Sequence, residues 1–135
     1  MTPEQVTLVR YRLERAKEAL GEAELLLDND HLNAAVNRLY YACFYAVSGL
    51  LLTEGQSAAK HSGVRALFDT NWVKSGRVPK DAGRFYHRLF DLRQKGDYAD
   101  LTTFPPDDVR KWQESAAHFV ETISAVVEGR IHNNQ

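Results

Sequence analysis

The 135-residue sequence predicts an all-α fold: an antiparallel four-helix up-and-down bundle with a short accessory helix. Three observations lead there. Apolar residues recur in steps of three and four through most of the chain. Threonine, proline and acids stand where helices begin, and glycines where they end. No segment shows the apolar–polar alternation of a strand.

The first helix opens at Thr2-Pro3-Glu4-Gln5, where Thr2 and Gln5 can form a capping box and Pro3 suits the first helical position. Val6, Val9, Leu13, Ala16, Leu20, Ala23 and Leu27 make its apolar stripe, which ends at Asp28-Asn29-Asp30. A coiled coil would use the same stripe, but the early turn favours a bundle helix. Asp30 is the expected cap of the second helix, Leu32 to about Thr53, with Gly55 as its left-handed terminus. This helix has two useful faces. Leu32, Ala35, Val36, Leu39, Cys43, Ala46 and Leu50 share one side; Asn37, Tyr41, Phe44 and Ser48 share the other, flanked by Tyr45 and Leu52. Aromatic and small polar groups opposite an apolar stripe predict cover on both sides.

Ser57 is the expected cap of the accessory helix, which runs to about Thr70 with Val64, Leu67 and Phe68 inward. Residues 71–78 read as a loop around Ser75-Gly76. Pro79 starts the next helix, with Ala82, Phe85, Tyr86, Leu89 and Leu92 inward and Gly96 as its stop. Pro105-Pro106-Asp107-Asp108 starts the last, which carries Val109, Trp112, Ala116, Phe119, Ile123 and Val126 to a stop at Gly129. One domain over residues 1–130 and a flexible tail over 131–135 are therefore expected.

Composition narrows the function. The net charge of −1 argues against a nonspecific polyanion binder. Yet nine Lys and Arg stand against three Asp between Lys60 and Lys95, and seven acids against two bases between Asp97 and Glu128. Two accounts fit: solvated faces that neutralise each other, or a middle third that faces an anion. No apolar run nears the roughly 18 residues of a membrane span, and the N-terminus lacks the pattern of a secretory signal, so a cytoplasmic location is expected. Cys43, the single cysteine, lies on an apolar stripe and reads as a small buried hydrophobe.

The bundle lacks the Glu-x-x-His pairs of a di-iron centre, and no phosphate-binding glycine loop or nucleophile elbow occurs, so neither metal nor other cofactor is expected. Arg93 is the unusual residue, a cation on an apolar helix side. It can close the helix end by pairing with Asp97, four residues on, or offer its fork to a phosphate. Among the histidines, His87 should face solvent and His118 flanks a stripe, while His31 and His132 sit at element ends. His61, within Lys60-His61-Ser62-Gly63, is either a packed or capping histidine or the best available proton-transfer group.

Asn37-Arg38-x-Tyr40-Tyr41-Ala42-x-Phe44-x-Ala46, then Lys60-His61-Ser62-Gly63, then Leu92-Arg93-x-x-Gly96-Asp97-Tyr98, resemble in order and spacing the HEPN-domain proteins, above all the small single-domain bacterial and archaeal ones. The resemblance covers nearly the whole chain. It implies a helical bundle, a homodimer whose cleft joins two copies of the arginine motif, and nucleotide or RNA binding. It further implies metal-independent endoribonuclease activity and a toxin–antitoxin setting with a nucleotidyltransferase partner. The family's catalytic signature is Arg, four to six residues, then His. Counting from Arg93, this sequence has Tyr98, Ala99 and Asp100 there, so the histidine is absent. Catalysis would fall to Arg93, Tyr98 and His61, with Asn37, Arg38, Tyr41 and Asp97 around the nucleic acid or anion. Asn37, Arg38 and Tyr41 should approach Arg93, Asp97 and Tyr98, and Phe44 and Tyr45 should lie near the dimer partner. The absent histidine also supports an alternative, a noncatalytic dimeric partner of a nucleotidyltransferase; a third reading is a structural dimer in which the Arg93–Asp97 pair only closes the bundle.

Overall fold

A computed structural model describes residues 1–133 of the chain. Its elements are α1 (Pro3–Asp28), α2 (Leu32–Leu52), α3 (His61–Phe68), a π-helical turn (Asp69–Val73), α4 (Lys80–Tyr98) and α5 (Pro106–Asn133). The all-α reading holds: α1, α2, α4 and α5 form the bundle and α3 is the accessory helix. α2 is the central element, packed against α1, α5, α4 and α3. Ala35, Leu39, Cys43, Ala46 and Leu50 are buried, as are Tyr40, Ala42, Val47 and Leu51 around the circumference; on the expected second face Ser48 is buried, while Asn37, Tyr41, Phe44, Tyr45 and Leu52 are half-buried. α1 lies against α2 at Gly49, where a Cβ would sit in ordinary contact, 3.5 Å from the Val9 carbonyl oxygen and the Arg12 Cβ. Cys43 is fully buried, and that burial drives its thiol pKa far above the ordinary range.

Local chemistry sets most boundaries. The Thr2–Gln5 capping box forms as expected, with the Gln5 amide donating to Oγ1 of Thr2 and the Thr2 amide donating to Oε1 of Gln5. Gly55 takes the left-handed conformation that ends α2, at φ 68°. Asp30 does not cap α2. It adopts φ 61°, while its amide donates to the Leu27 carbonyl and the His31 amide to that of Leu26, so Asp30 closes α1 in a Schellman arrangement. Ser57 is likewise not a cap; α3 starts only at His61, behind Lys60.

Three stops come elsewhere than expected. Part of the 71–78 loop is the π turn, whose wider bond from the Lys74 amide to the Asp69 carbonyl accompanies complete burial of Trp72. Arg77 covers that indole, with its guanidinium 3.8 Å from the ring centroid. α4 runs through Gly96 to Tyr98; the glycine makes room for Phe104, whose ring would lie 3.0 Å from a Cβ. α5 continues through Gly129 to Asn133, because Ile131 extends the buried stripe of Ile123 and Val127 and Arg130 pairs with Glu54 at 2.9 Å. The tail expected over 131–135 is thus helical as far as Asn133, and residues 134 and 135 lie outside the described part. Among the described residues no helix is long and apolar enough to cross a membrane.

Candidate functional site

The site lies where α2 meets α4 and the start of α3. Helical geometry puts Asn37 and Tyr41 one turn apart on α2, and Arg93 and Asp97 one turn apart on α4. Arg93 Nε lies 2.8 Å from Oδ2 of Asp97, and the same oxygen accepts from Asn37 Nδ2 at 2.9 Å. Arg93 Nη2 donates to the Tyr41 hydroxyl at 3.3 Å, which completes a chain of four residues across two helices. The Arg93 side chain is only 12 % exposed, against 22 % for Asp97. A cation this deep requires such partners.

Aromatic rings complete the setting. The Arg93 guanidinium lies 5.4 Å from the ring centroids of Tyr40 and Tyr41 and 5.7 Å from that of Tyr98. Arg38 brings a second guanidinium to Tyr41, 5.1 Å from its centroid, and pairs with Glu22 at 3.5 Å. Its Nη2 is buried without a hydrogen-bond acceptor among the described residues. Two cations thus share one tyrosine, and one of them has a donor to spare.

His61 joins the site through Tyr40. Its Nδ1 is 2.9 Å from the Tyr40 hydroxyl, and its ring stacks on Phe44 with centroids 4.3 Å apart. Burial, and then the Arg93 charge, lower the His61 pKa below 6.5, so the imidazole is neutral at pH 7. Burial lifts the Tyr40 pKa to about 12, which keeps its proton in place.

The expected residues therefore come together. Asn37, Tyr41, Arg93 and Asp97 form one network, Arg38 stands on Tyr41, and His61 is one tyrosine away. Tyr98 is the looser member, 70 % exposed, with its ring rather than its hydroxyl near Arg93. His87, read as solvent-facing, keeps 43 % of its side chain exposed and also meets Asp69, on the π turn, at 2.6 Å. Sequence reasoning missed Tyr40 as the bridge and Phe44 as the His61 platform. Their i, i+4 spacing on α2 was the available signal; the distant α3 partner was not. Among the described residues no cluster of three or more His, Cys, Asp or Glu could hold a metal ion.

Comparison with known proteins fits this picture. A HEPN domain family model matches residues 9–128. A UPF0332 protein of Thermotoga maritima is 46 % identical over 125 residues, covering 93 % of this chain and 95 % of that one. A Methanocaldococcus jannaschii protein named "Putative toxin MJ0605" is 37 % identical over 86 residues, covering 64 % of each chain. The crystal structure of TT1696 from Thermus thermophilus superposes with a TM-score of 0.67 at 26 % identity, covering 90 % of this chain and 97 % of that one.

Proposed function

The chain belongs to the HEPN-domain family, and from that premise we propose that it is an RNA-binding protein of toxin type that cleaves RNA without a metal. The observation that carries the reading is the pair of guanidiniums on Tyr41 beside a neutral histidine. Arg93 and Arg38 would take the scissile phosphate, Arg93 stabilising the charge that develops on its oxygens. Asp97 and Asn37 hold the Arg93 fork in place. His61 would move the proton. With Nδ1–H donating to the Tyr40 oxygen, Nε2 keeps a lone pair that can take the proton of a 2′-hydroxyl as it attacks the phosphorus; the P–O5′ bond breaks and the departing 5′-oxygen takes a proton from water. Tyr98, exposed beside Arg93, would orient the strand.

A homodimer is part of this reading. Tyr98, beside Arg93, and Leu101, three residues on at φ 60°, leave an edge of two exposed apolar side chains at the end of α4. Across that edge a second copy would bring its own Arg93 site into one cleft. Leu101→Asp should then shift the mass in solution to that of a monomer.

The test incubates the purified protein with RNA in a chelator. Wild type should give 2′,3′-cyclic phosphate ends, and Arg93→Ala should lower the rate by about 100-fold or more. His61→Gln should do the same while leaving RNA binding in place. If wild type and both variants leave RNA intact, the catalytic reading fails. The absent histidine, with exposed Tyr98 in its neighbourhood, then favours a noncatalytic partner of a nucleotidyltransferase. Co-purification with a neighbour-encoded nucleotidyltransferase tests that second reading, and recovery of the protein alone counts against it.

A further inference from the structure

A cavity of about 460 Å³ opens between α1, α2 and the connection that follows α2. It is within the size range of sites for small organic molecules. Arg12 and Arg15 enter it from α1 and Tyr45 and Phe44 from α2, while Tyr11 stands at its mouth, 59 % exposed. No aspartate or glutamate lines it. Arg12 donates only a long 3.4 Å bond to the Ser48 carbonyl and has no carboxylate partner among the described residues. Arg15 stands 5.3 Å from the Tyr45 centroid and pairs with Glu18 outside the cavity wall. The Gln56 side-chain oxygen in the wall is buried without a donor.

From these residues we infer a second ligand site, separate from the Arg93 site, for a small phosphate monoester attached to a flat ring. Two guanidiniums one helical turn apart, with no acid in the wall, suit a dianion, and a phosphate monoester carries close to two negative charges at pH 7. Tyr11, Phe44 and Tyr45 offer ring surface to the body that carries the phosphate. Gln56 offers an acceptor to a donor on that body. Phe44 is shared between the two sites, because His61 stacks on it. A ligand against Phe44 therefore changes the surroundings of His61, 4.3 Å away.

Titration calorimetry of the full chain with phenyl phosphate tests this, with inorganic phosphate as the comparison. Phenyl phosphate should bind about tenfold more tightly than inorganic phosphate. Arg12→Gln with Arg15→Gln should weaken it by about tenfold or more, and Arg84→Gln, an exposed arginine on α4 outside both sites, should change it by less than about twofold. Tyr11→Ala, at an exposed position that leaves the core intact, should remove most of the preference for the ring. The His61 ring resonances should move on binding to the wild type. The inference is overturned if phenyl phosphate does not bind at roughly 10 mM, or binds no better than phosphate. It is overturned equally if Arg93→Gln abolishes binding while the Arg12, Arg15 variant keeps it, since the ligand would then occupy the Arg93 site. RNA binding or cleavage does not enter these outcomes, so the two readings fail separately.

Discussion

Asp97→Asn separates a structural role for Arg93 from a ligand-binding one. Asp97 holds Arg93 Nε at 2.8 Å and accepts from Asn37 at 2.9 Å, with the arginine side chain 12 % exposed. The amide keeps the shape and loses the charge. A hydrogen bond to a charged group contributes about 1.5–3 kcal/mol, and a poorly compensated cation stays behind, so the cost should be about 2 kcal/mol. For a chain of 135 residues that lowers Tm by roughly 6–8 °C. Binding should move the other way, because the carboxylate that competes with phosphate for the guanidinium has gone. At a phosphate concentration of about ten times Kd, the bound anion returns about 1.4 kcal/mol. Urea unfolding followed by tryptophan fluorescence, in chloride and in phosphate, reads both effects. A loss of the same size in both buffers would refute the ligand-binding role and leave Arg93 as a clasp.

His61 should titrate below 6.5 by NMR, since the fold favours its neutral form. Below pH 6.5 the unfolded chain binds more protons than the folded one, so stability falls as pH drops, and His61→Gln should flatten that slope; a midpoint at or above 6.5 would contradict the burial argument. Gly129→Ala should stabilise the protein by roughly 0.5–1 kcal/mol in thermal melts, because the residue is helical with open space around it. A loss would mean that α5 ends there. Gly96→Ala should destabilise by about 1 kcal/mol instead, as its Cβ meets the Phe104 ring at 3.0 Å while that ring is held edge-on against Trp112.

What the sequence revealed depends on how local the cause was. The capping box at Thr2 and the left-handed Gly55 are settled within a few residues, and both were legible. The Arg93–Asp97 pair, four apart on one helix, was legible for the same reason. Asp30 and Gly96 were misread because each signal has two structural answers: an Asp before a helix can end the previous one, and a glycine near a helix end can serve close packing. The stop of α5 depended on Glu54, far along the chain, which holds Arg130. Arg77 also binds Glu54, and it is the larger cause of the lowered Glu54 pKa. The site followed the same rule. Asn37 and Tyr41 could be assigned to the face that meets Arg93, but the Tyr40 bridge to His61 joins α2 to α3 across a connection without regular structure.

The central claim is that the two guanidiniums on Tyr41 hold RNA phosphate. Fluorescence anisotropy with a labelled single-stranded RNA, at one fixed salt concentration and then across a salt series, measures it directly. Wild type should bind, and Arg93→Ala with Arg38→Ala should weaken binding by about tenfold or more and make the salt dependence shallower by about one to two phosphate contacts. Equal affinity and equal salt slope in wild type and variant would contradict the account.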